Sequence, residues 1–161
     1  MTKVVVQITK DFVDIDVNLS KLKRLVRGIC TRFGQSYIEK ECSKSDEAAQ
    51  YEIGIAIVDE SEIKTANKQF LNRNVSTDCL SFDLSDEANK KAFELIVNAE
   101  KALKEAAIRG HSPEAELALY VTHGLLHNLG FDDNTSSQAK EMHDTEDEIL
   151  QQHGYGFVYN S

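Results

Sequence analysis

Apolar residues recur along this chain with two periods, one typical of strands and one typical of helices. Strands are predicted at Val4–Ile8, Phe12–Val17, Tyr51–Ile57, Cys79–Leu84 and Phe93–Val97. Helices, counted with their caps, are predicted at Leu19–Phe33, Asp59–Leu71, Ala99–Ile108, Ser112–Leu129 and Thr135–Leu150. Because strands and helices are interleaved, we expect one mixed sheet packed against helices.

Residues near the helix ends support these boundaries. Gly34 is expected to end the first helix. Ser112, Pro113 and Glu114 supply a cap, a first-turn proline and a first-turn acid for the fourth helix. The polar stretch Ser43–Gln50 is expected to be a loop.

The length and composition are those of an ordinary globular protein. A chain of 161 residues is expected to form a single domain over residues 1–161, with a core large enough to be stable without disulfides or a structural metal. The three cysteines are odd in number and lack CxxC spacing, which argues against a disulfide framework or a zinc ribbon. The apolar runs are far too short to cross a membrane, and the N-terminus does not resemble a signal peptide. A cytoplasmic location is therefore expected, with no membrane partner.

The chain is acidic, with a formal net charge of −9 from 18 basic and 27 acidic residues. Nucleic-acid affinity depends on neutralising phosphates, so no DNA partner is expected. Five basic residues nevertheless fall within residues 20–32, which contain no acid: Lys21, Lys23, Arg24, Arg27 and Arg32. They form either a solvated helix face or a binding patch.

The segment from His123 to Asp133, HGLLHNLGFDD, carries the clearest chemical signal. Two histidines four residues apart lie on one face of a helix, so their imidazoles can converge on one metal ion. Gly130 then permits a left-handed turn, through which Asp133 can return toward the pair. His123, His127 and Asp133 are the candidate ligands, and three protein ligands leave a position open for water, as in catalytic zinc sites.

Other interpretations of this segment stay open. A hydrogen-bonded histidine pair needs no metal, and the ligand set also matches the facial triad of non-haem iron oxygenases. Gly124 follows His123, so the glutamate base of H-E-x-x-H metalloproteases is missing and a peptidase is disfavoured. His143 is an alternative ligand, although it, His111 and His153 are each expected to face solvent. The acids of the last helix are expected to form an exposed face without a catalytic role: Asp144, Glu146, Asp147 and Glu148.

With these residues in hand, the sequence resembles the YbeY family of ribosomal-RNA maturation endoribonucleases. His123–Asp133 matches in register the family signature His-Gly-x-Leu-His-Leu-x-Gly-Tyr-Asp-His. Thr77–Phe82 matches the family's Thr-Asp-Val-Leu-Ser-Phe strand. The likeness covers residues 51–150, and two blocks in the same order make it specific.

The resemblance implies an α/β (α+β) fold of the zincin-like type, with a mixed sheet of about four strands surrounded by helices. It implies a metal-dependent, single-strand-specific endoribonuclease that acts in ribosomal-RNA maturation and ribosome quality control. One Zn²⁺ per chain would be held by His123, His127 and Asp133. The implied partners are ribosomal RNA or ribosomal particles, and a ribosomal protein or a GTPase.

Two positions depart from the family pattern. The family's third zinc-binding histidine falls on Asp133, which zinc accepts, although a carboxylate lowers the positive charge of the site. The family's catalytic arginine falls on Leu71, which cannot bind phosphate. Arg73 is the candidate replacement: its side chain lies on the same side as that of Leu71 if the segment is extended, and about 200° away if the helix continues. These departures leave open a ribosome-biogenesis binding factor with weakened catalysis, or a metal-dependent hydrolase of another substrate.

Overall fold

Four strands and five helices form along the described part of the chain, which comprises residues 2–41, 47–156 and 158 of a computed structural model. In chain order they are β1 (Lys3–Lys10), α1 (Leu19–Glu41), β2 (Gln50–Val58), α2 (Glu60–Leu71), β3 (Cys79–Asp83), β4 (Lys90–Asn98), α3 (Ala99–Arg109), α4 (Pro113–Asn128) and α5 (Ser136–Gln152). No described helix combines the length and the hydropathy that crossing a membrane requires.

The strands make one sheet in the order β1-β2-β4-β3. β1, β2 and β4 run parallel, with Val6 opposite Ile53 and Ile53 opposite Phe93, and β3 pairs antiparallel with β4 at one edge. The parallel neighbours are joined through helices, because a short hairpin cannot connect them. The mixed four-stranded sheet with surrounding helices that was predicted is confirmed.

The alternation of side chains places the main core on one face of this sheet. Ile53 and Ile55 of β2 and Leu95 of β4 point into it and belong to one apolar cluster with buried residues of α1, α4 and α5. Helix α4 is the central element, since it is buried on almost every side. The opposite face carries a smaller cluster beneath α2: Val58, Ile63 and Leu80.

Helix α1 does not end at Gly34 as predicted but continues to Glu41. Gly34 lies where α1 meets Tyr51 of β2, whose hydroxyl donates to the Gly34 carbonyl at 2.8 Å. A Cβ atom at this position would lie 2.5 Å from Cε2 of the Tyr51 ring. The glycine is therefore present for a close approach between helix and sheet rather than for a helix stop.

The segment Phe12–Val17 does not form the predicted strand. β1 and β2 are parallel, so the chain must leave the sheet after β1, and residues 11–18 begin that crossing. Ile15 anchors this connection in the core, whereas Val13 is 77% exposed, so the alternating pattern does not mark one buried face. The other predicted strands and helices are confirmed: α2 and α4 have the predicted ends, and the remaining elements have ends shifted by a few residues. Of the predicted loop Ser43–Gln50, residues 43–46 lie outside the described residues and Gln50 begins β2.

Replacing Gly34 by alanine is expected to destabilise the fold by about 1–3 kcal/mol, because overpacking against the buried Tyr51 ring outweighs a gain of about 1 kcal/mol in helix propensity. Ser36→Ala, at an exposed position of the same helix, is the control and should be neutral or slightly stabilising. Denaturant titration gives the free energy of unfolding of each variant. A Gly34→Ala protein that is about 1 kcal/mol more stable than the wild type would show that the ring moves aside without cost.

Candidate metal centre

Helix α4 carries both histidines of the motif, and its start is fixed as predicted. Ser112 accepts a hydrogen bond from the Ala115 backbone at 3.1 Å, and Pro113 is the first helical residue. Further along, the Nε2 atoms of His123 and His127 lie 3.1 Å apart, and their rings meet edge to face. The four-residue spacing therefore places the Nε2 atoms of the two histidines side by side, as predicted.

Gly124, between the two histidines, faces the sheet. A Cβ atom there would lie 2.7 Å both from Cys79 Sγ of β3 and from Leu95 Cδ2 of β4. A longer side chain would have to displace the buried Leu95 or force α4 away from the sheet. The glutamate base of H-E-x-x-H metalloproteases has no room at this position.

The turn after α4 brings the aspartate to the histidines. Gly130 has a φ of 92°, in the left-handed region that favours glycine, as the sequence predicted. Asp133 Oδ2 then lies 3.6 Å from His127 Nε2 and 4.0 Å from His123 Nε2. One ligand atom from each of the three residues lies within 4.8 Å of the other two.

Each imidazole is held through its other nitrogen. His127 Nδ1 donates to the Phe131 carbonyl at 2.9 Å. His123 Nδ1 donates to the Glu146 carboxylate at 3.2 Å. Because both Nδ1 atoms are engaged by acceptors, both Nε2 atoms present a lone pair to the cluster, the arrangement found in metal-ligating histidines.

Glu146 is the site residue that the sequence analysis missed. The prediction of an exposed acidic face on α5 is wrong for Glu146 and Asp147, which are 0% and 5% exposed. Glu146 lies on the inward stripe of α5 with Met142, Ile149 and Leu150. Its spacing of four residues from Met142 and three from Ile149 is the signal that identifies it as inward-facing.

His123 and Glu146 influence each other's protonation. Burial by itself lowers the pKa of His123, but the hydrogen bond and the charge of Glu146 outweigh it, so that this pKa is raised. Burial raises the pKa of Glu146 against the opposing effect of His123. A change in the charge of either group therefore alters the protonation of the His123 imidazole, which faces the cluster.

The donor set fits a zinc ion. Tetrahedral bonds of about 2.05 Å hold two ligand nitrogens about 3.3 Å apart, which is close to the 3.1 Å between the two Nε2 atoms. Two neutral imidazoles and one carboxylate leave one positive charge on the site when a divalent ion binds. The Asp133 side chain is 42% exposed, so the cluster is open to solvent on that side.

The remaining histidines do not belong to this group. His111 does not face solvent as predicted, because its Nε2 contacts the buried carboxylate of Glu116. His143 and His153 are half-buried, and the three-residue group found within the described chain does not include them.

Arg73 also lies outside the group, in the loop after α2. The helix continues through Leu71 and is capped by Asn72, whose φ of 55° is left-handed. The chain changes direction between Leu71 and Arg73, so neither the extended nor the helical relation considered above describes their side chains. Arg73 is exposed, and its role stays a prediction.

Comparisons with known proteins identify the family of this chain. A family model described as Endoribonuclease YbeY matches residues 8–154. A protein of that name from Caldicellulosiruptor bescii is 34% identical over 167 residues, covering 94% of this chain and 98% of the relative. Another from Macrococcus caseolyticus is 32% identical over 158 residues, covering 91% and 96%. A solution structure of a Thermotoga maritima protein aligns with 94% of this chain and 91% of its own, at 22% identity and a TM-score of 0.49. The match includes both sequence blocks that carry the resemblance, and this chain belongs to the YbeY family.

Proposed function

We propose that this chain is a metal-dependent, single-strand-specific endoribonuclease that acts in ribosomal-RNA maturation and in ribosome quality control. Membership of a family named for endoribonuclease activity supports RNA as the substrate. The observation that carries the metal dependence is the convergence of His123, His127 and Asp133, with both Nδ1 atoms held by acceptors. We infer that these three residues hold one Zn²⁺ per chain.

Each residue of the centre has a separate task. When bound, Zn²⁺ supplies Lewis acidity toward water or a phosphoryl oxygen. His123 and His127 provide neutral nitrogens, and Asp133 completes the set on the solvent side. Glu146 orients His123 and fixes which of its nitrogens carries the proton.

Arg73 is the proposed phosphate contact. Its guanidinium is exposed just beyond the end of α2, where an RNA strand can reach it. A guanidinium binds two phosphate oxygens in parallel, which both positions the strand and stabilises charge on it. This is the task that the leucine at position 71 cannot perform.

The basic face of α1 is the proposed RNA surface. Two of its members are partly engaged, since Lys21 lies 3.8 Å from a carboxylate of α4 and Arg32 lies 3.1 Å from a carboxylate of α5. Arg24 and Arg27 are exposed on the same helix and are the members best placed for phosphates.

Family membership supports a proposal for the setting of this activity. We propose a cytoplasmic protein with one domain over residues 1–161 that meets its RNA on ribosomal particles. A ribosomal protein or a GTPase is the proposed protein partner.

Metal content tests the ligand set. Protein purified without chelator should carry close to one zinc per chain, and Asp133→Ala should lose most of it because only two ligands remain. Asp132→Ala, at the neighbouring exposed position, is the matched control and should keep its zinc. Elemental analysis gives the zinc-to-protein ratio. A folded wild type with little zinc would contradict metal dependence and favour the binding factor, and full occupancy in Asp133→Ala would mean that another ligand completes the site.

Glu146→Gln should weaken zinc binding by roughly ten- to a hundred-fold, because the amide keeps the shape of the carboxylate but loses the charge that supports His123. Competition with a chromophoric chelator measures the zinc affinity directly and does not require activity. Glu141→Gln, at an exposed position of the same helix, is the control. The same affinity in Glu146→Gln and wild type would remove Glu146 from the metal centre.

Arg73→Gln should lower kcat/KM for single-stranded RNA by roughly ten- to a hundred-fold, the loss of one charge-assisted contact to phosphate. Zinc content should not change, because Arg73 lies outside the ligand group. Lys68→Gln, an exposed cation of α2, is the control. Cleavage is followed on gels with an intact duplex of the same sequence alongside. Wild-type rates in Arg73→Gln would remove the phosphate contact, and equal cleavage of duplex and single strand would contradict strand specificity.

A further inference from the structure

A pocket of about 170 Å³ opens beside His123, between α3, α4 and the residue before β3. Because His123 belongs both to this pocket and to the metal centre, a group bound here lies next to a phosphate held at the centre. The pocket is lined by charged and polar side chains: Asp78, Lys101, Glu105, Arg109, Glu116 and Tyr120.

One wall of the pocket is rigid and already neutralised. Glu116 is buried, and its two oxygens accept hydrogen bonds from Arg109 at 3.1 and 3.3 Å. Arg109 also donates to the Val158 carbonyl at 2.7 Å. The two opposite charges satisfy each other and hold α3 against α4, so they form a fixed wall for a ligand.

Three charged groups stay available in the pocket. Asp78, Lys101 and Glu105 take part in no ion pair within the described residues, and Asp78 accepts one long hydrogen bond, at 3.4 Å, from the Thr77 hydroxyl. Two carboxylates and one ammonium give the available groups an excess of negative charge. A second phosphate does not suit such a pocket, whereas a neutral ligand rich in N–H donors does.

Tyr120 adds a second indication of a ligand. It is 4% exposed, and its hydroxyl makes no hydrogen bond of normal geometry with any described residue. Burial, and after it the charge of Glu116 and a contact with its carboxylate, raises the pKa of this hydroxyl, which keeps it protonated. A buried hydroxyl that lacks a well-formed hydrogen bond is costly, so its place in the pocket wall points to a bound group that completes its hydrogen bonding.

We propose that this pocket holds the base next to the cleaved phosphodiester and that it favours guanine. The inference rests on the proposed function, since it takes RNA as the ligand of the metal centre. Guanine presents N1–H and N2–H side by side, which the carboxylates of Asp78 and Glu105 accept. Its O6 and N7 atoms accept hydrogen bonds, and the Lys101 ammonium donates to them.

The other bases match the pocket less well. Adenine and cytosine each present one amino group, and uracil presents one N–H between two carbonyl oxygens. None of them offers donors on two neighbouring atoms. Each of these bases can donate to one of the two carboxylates only. The other carboxylate is then removed from water without gaining a donor, which costs binding free energy.

Binding to short, fluorescein-labelled oligoadenylates tests the proposal, with the central base kept as A or replaced by G, C or U. Fluorescence anisotropy, read directly after mixing at low temperature and at one salt concentration, gives Kd, and gels confirm that the RNA is still intact at the time of the reading. The zinc-loaded wild type should bind the G-containing RNA about five-fold more tightly than the all-adenine RNA, the lower end of what one pair of base-edge hydrogen bonds provides. Lys101→Met and Glu105→Gln should each reduce that ratio to about two or less and leave the affinity for the all-adenine RNA within about two-fold.

Lys104→Met is the matched control. Lys104 lies on the same helix, is 61% exposed and pairs with Glu60 and Glu100, outside the pocket. This variant should keep the wild-type preference for G.

The outcomes separate the pocket from the nuclease activity. Equal affinity for all four RNAs, or no measurable binding, overturns the proposal. A loss in Lys101→Met that is the same for every RNA also overturns it, because that is the behaviour of a phosphate contact. Cleavage of the same RNAs reports on the proposed function: metal-dependent cleavage with no preference for any base overturns the pocket alone, whereas preferential binding of G without cleavage supports the pocket and overturns the nuclease.

Discussion

The site depends on how closely α4 approaches the sheet at Gly124. The helix touches β3 and β4 there with no space for a side chain, which fixes its distance from the sheet and its rotation. His123 directly precedes this contact and His127 follows it by less than one turn, so both imidazoles are placed by it. A rotation of the helix by one residue, about 100°, would turn them toward the core and away from Asp133.

Contacts to the second ring nitrogen of each histidine then fix which nitrogen carries the proton. The Phe131 carbonyl and the Glu146 carboxylate each take the proton of one Nδ1 atom. Glu146 reaches its position only when α5 is docked, and its other oxygen has no hydrogen-bond partner within the described chain. An apolar residue there would pack without the cost of desolvating a charge. We therefore attribute the carboxylate at this position to the orientation and protonation of His123 and not to the stability of the fold.

The sequence predicted the parts of this arrangement that are local. The pair of histidines and the left-handed turn at Gly130 lie within one short segment, and each depends on spacing that can be counted. The sequence analysis misjudged features that depend on a partner from elsewhere in the chain. Gly34 continues its helix because Tyr51 arrives from β2, and Ile15 is buried by the crossing from β1 to α1 rather than by strand pairing. Glu146 has the spacing of an inward-facing residue, but it was grouped with the acidic residues beside it and predicted to be exposed.

The negative net charge of the chain means that RNA binding must depend on local surfaces. A chain with a net charge of −9 repels RNA at long range, but at physiological ionic strength this repulsion is screened beyond about 8 Å. Binding then depends on what each local surface offers. The exposed arginines of α1 and a cation in the proposed centre suit phosphates, whereas the acid-rich pocket suits the edge of a base. The two proposed sites are complementary: in this proposal the metal centre would hold a phosphate without reading sequence, and the pocket beside His123 would determine which phosphate is held.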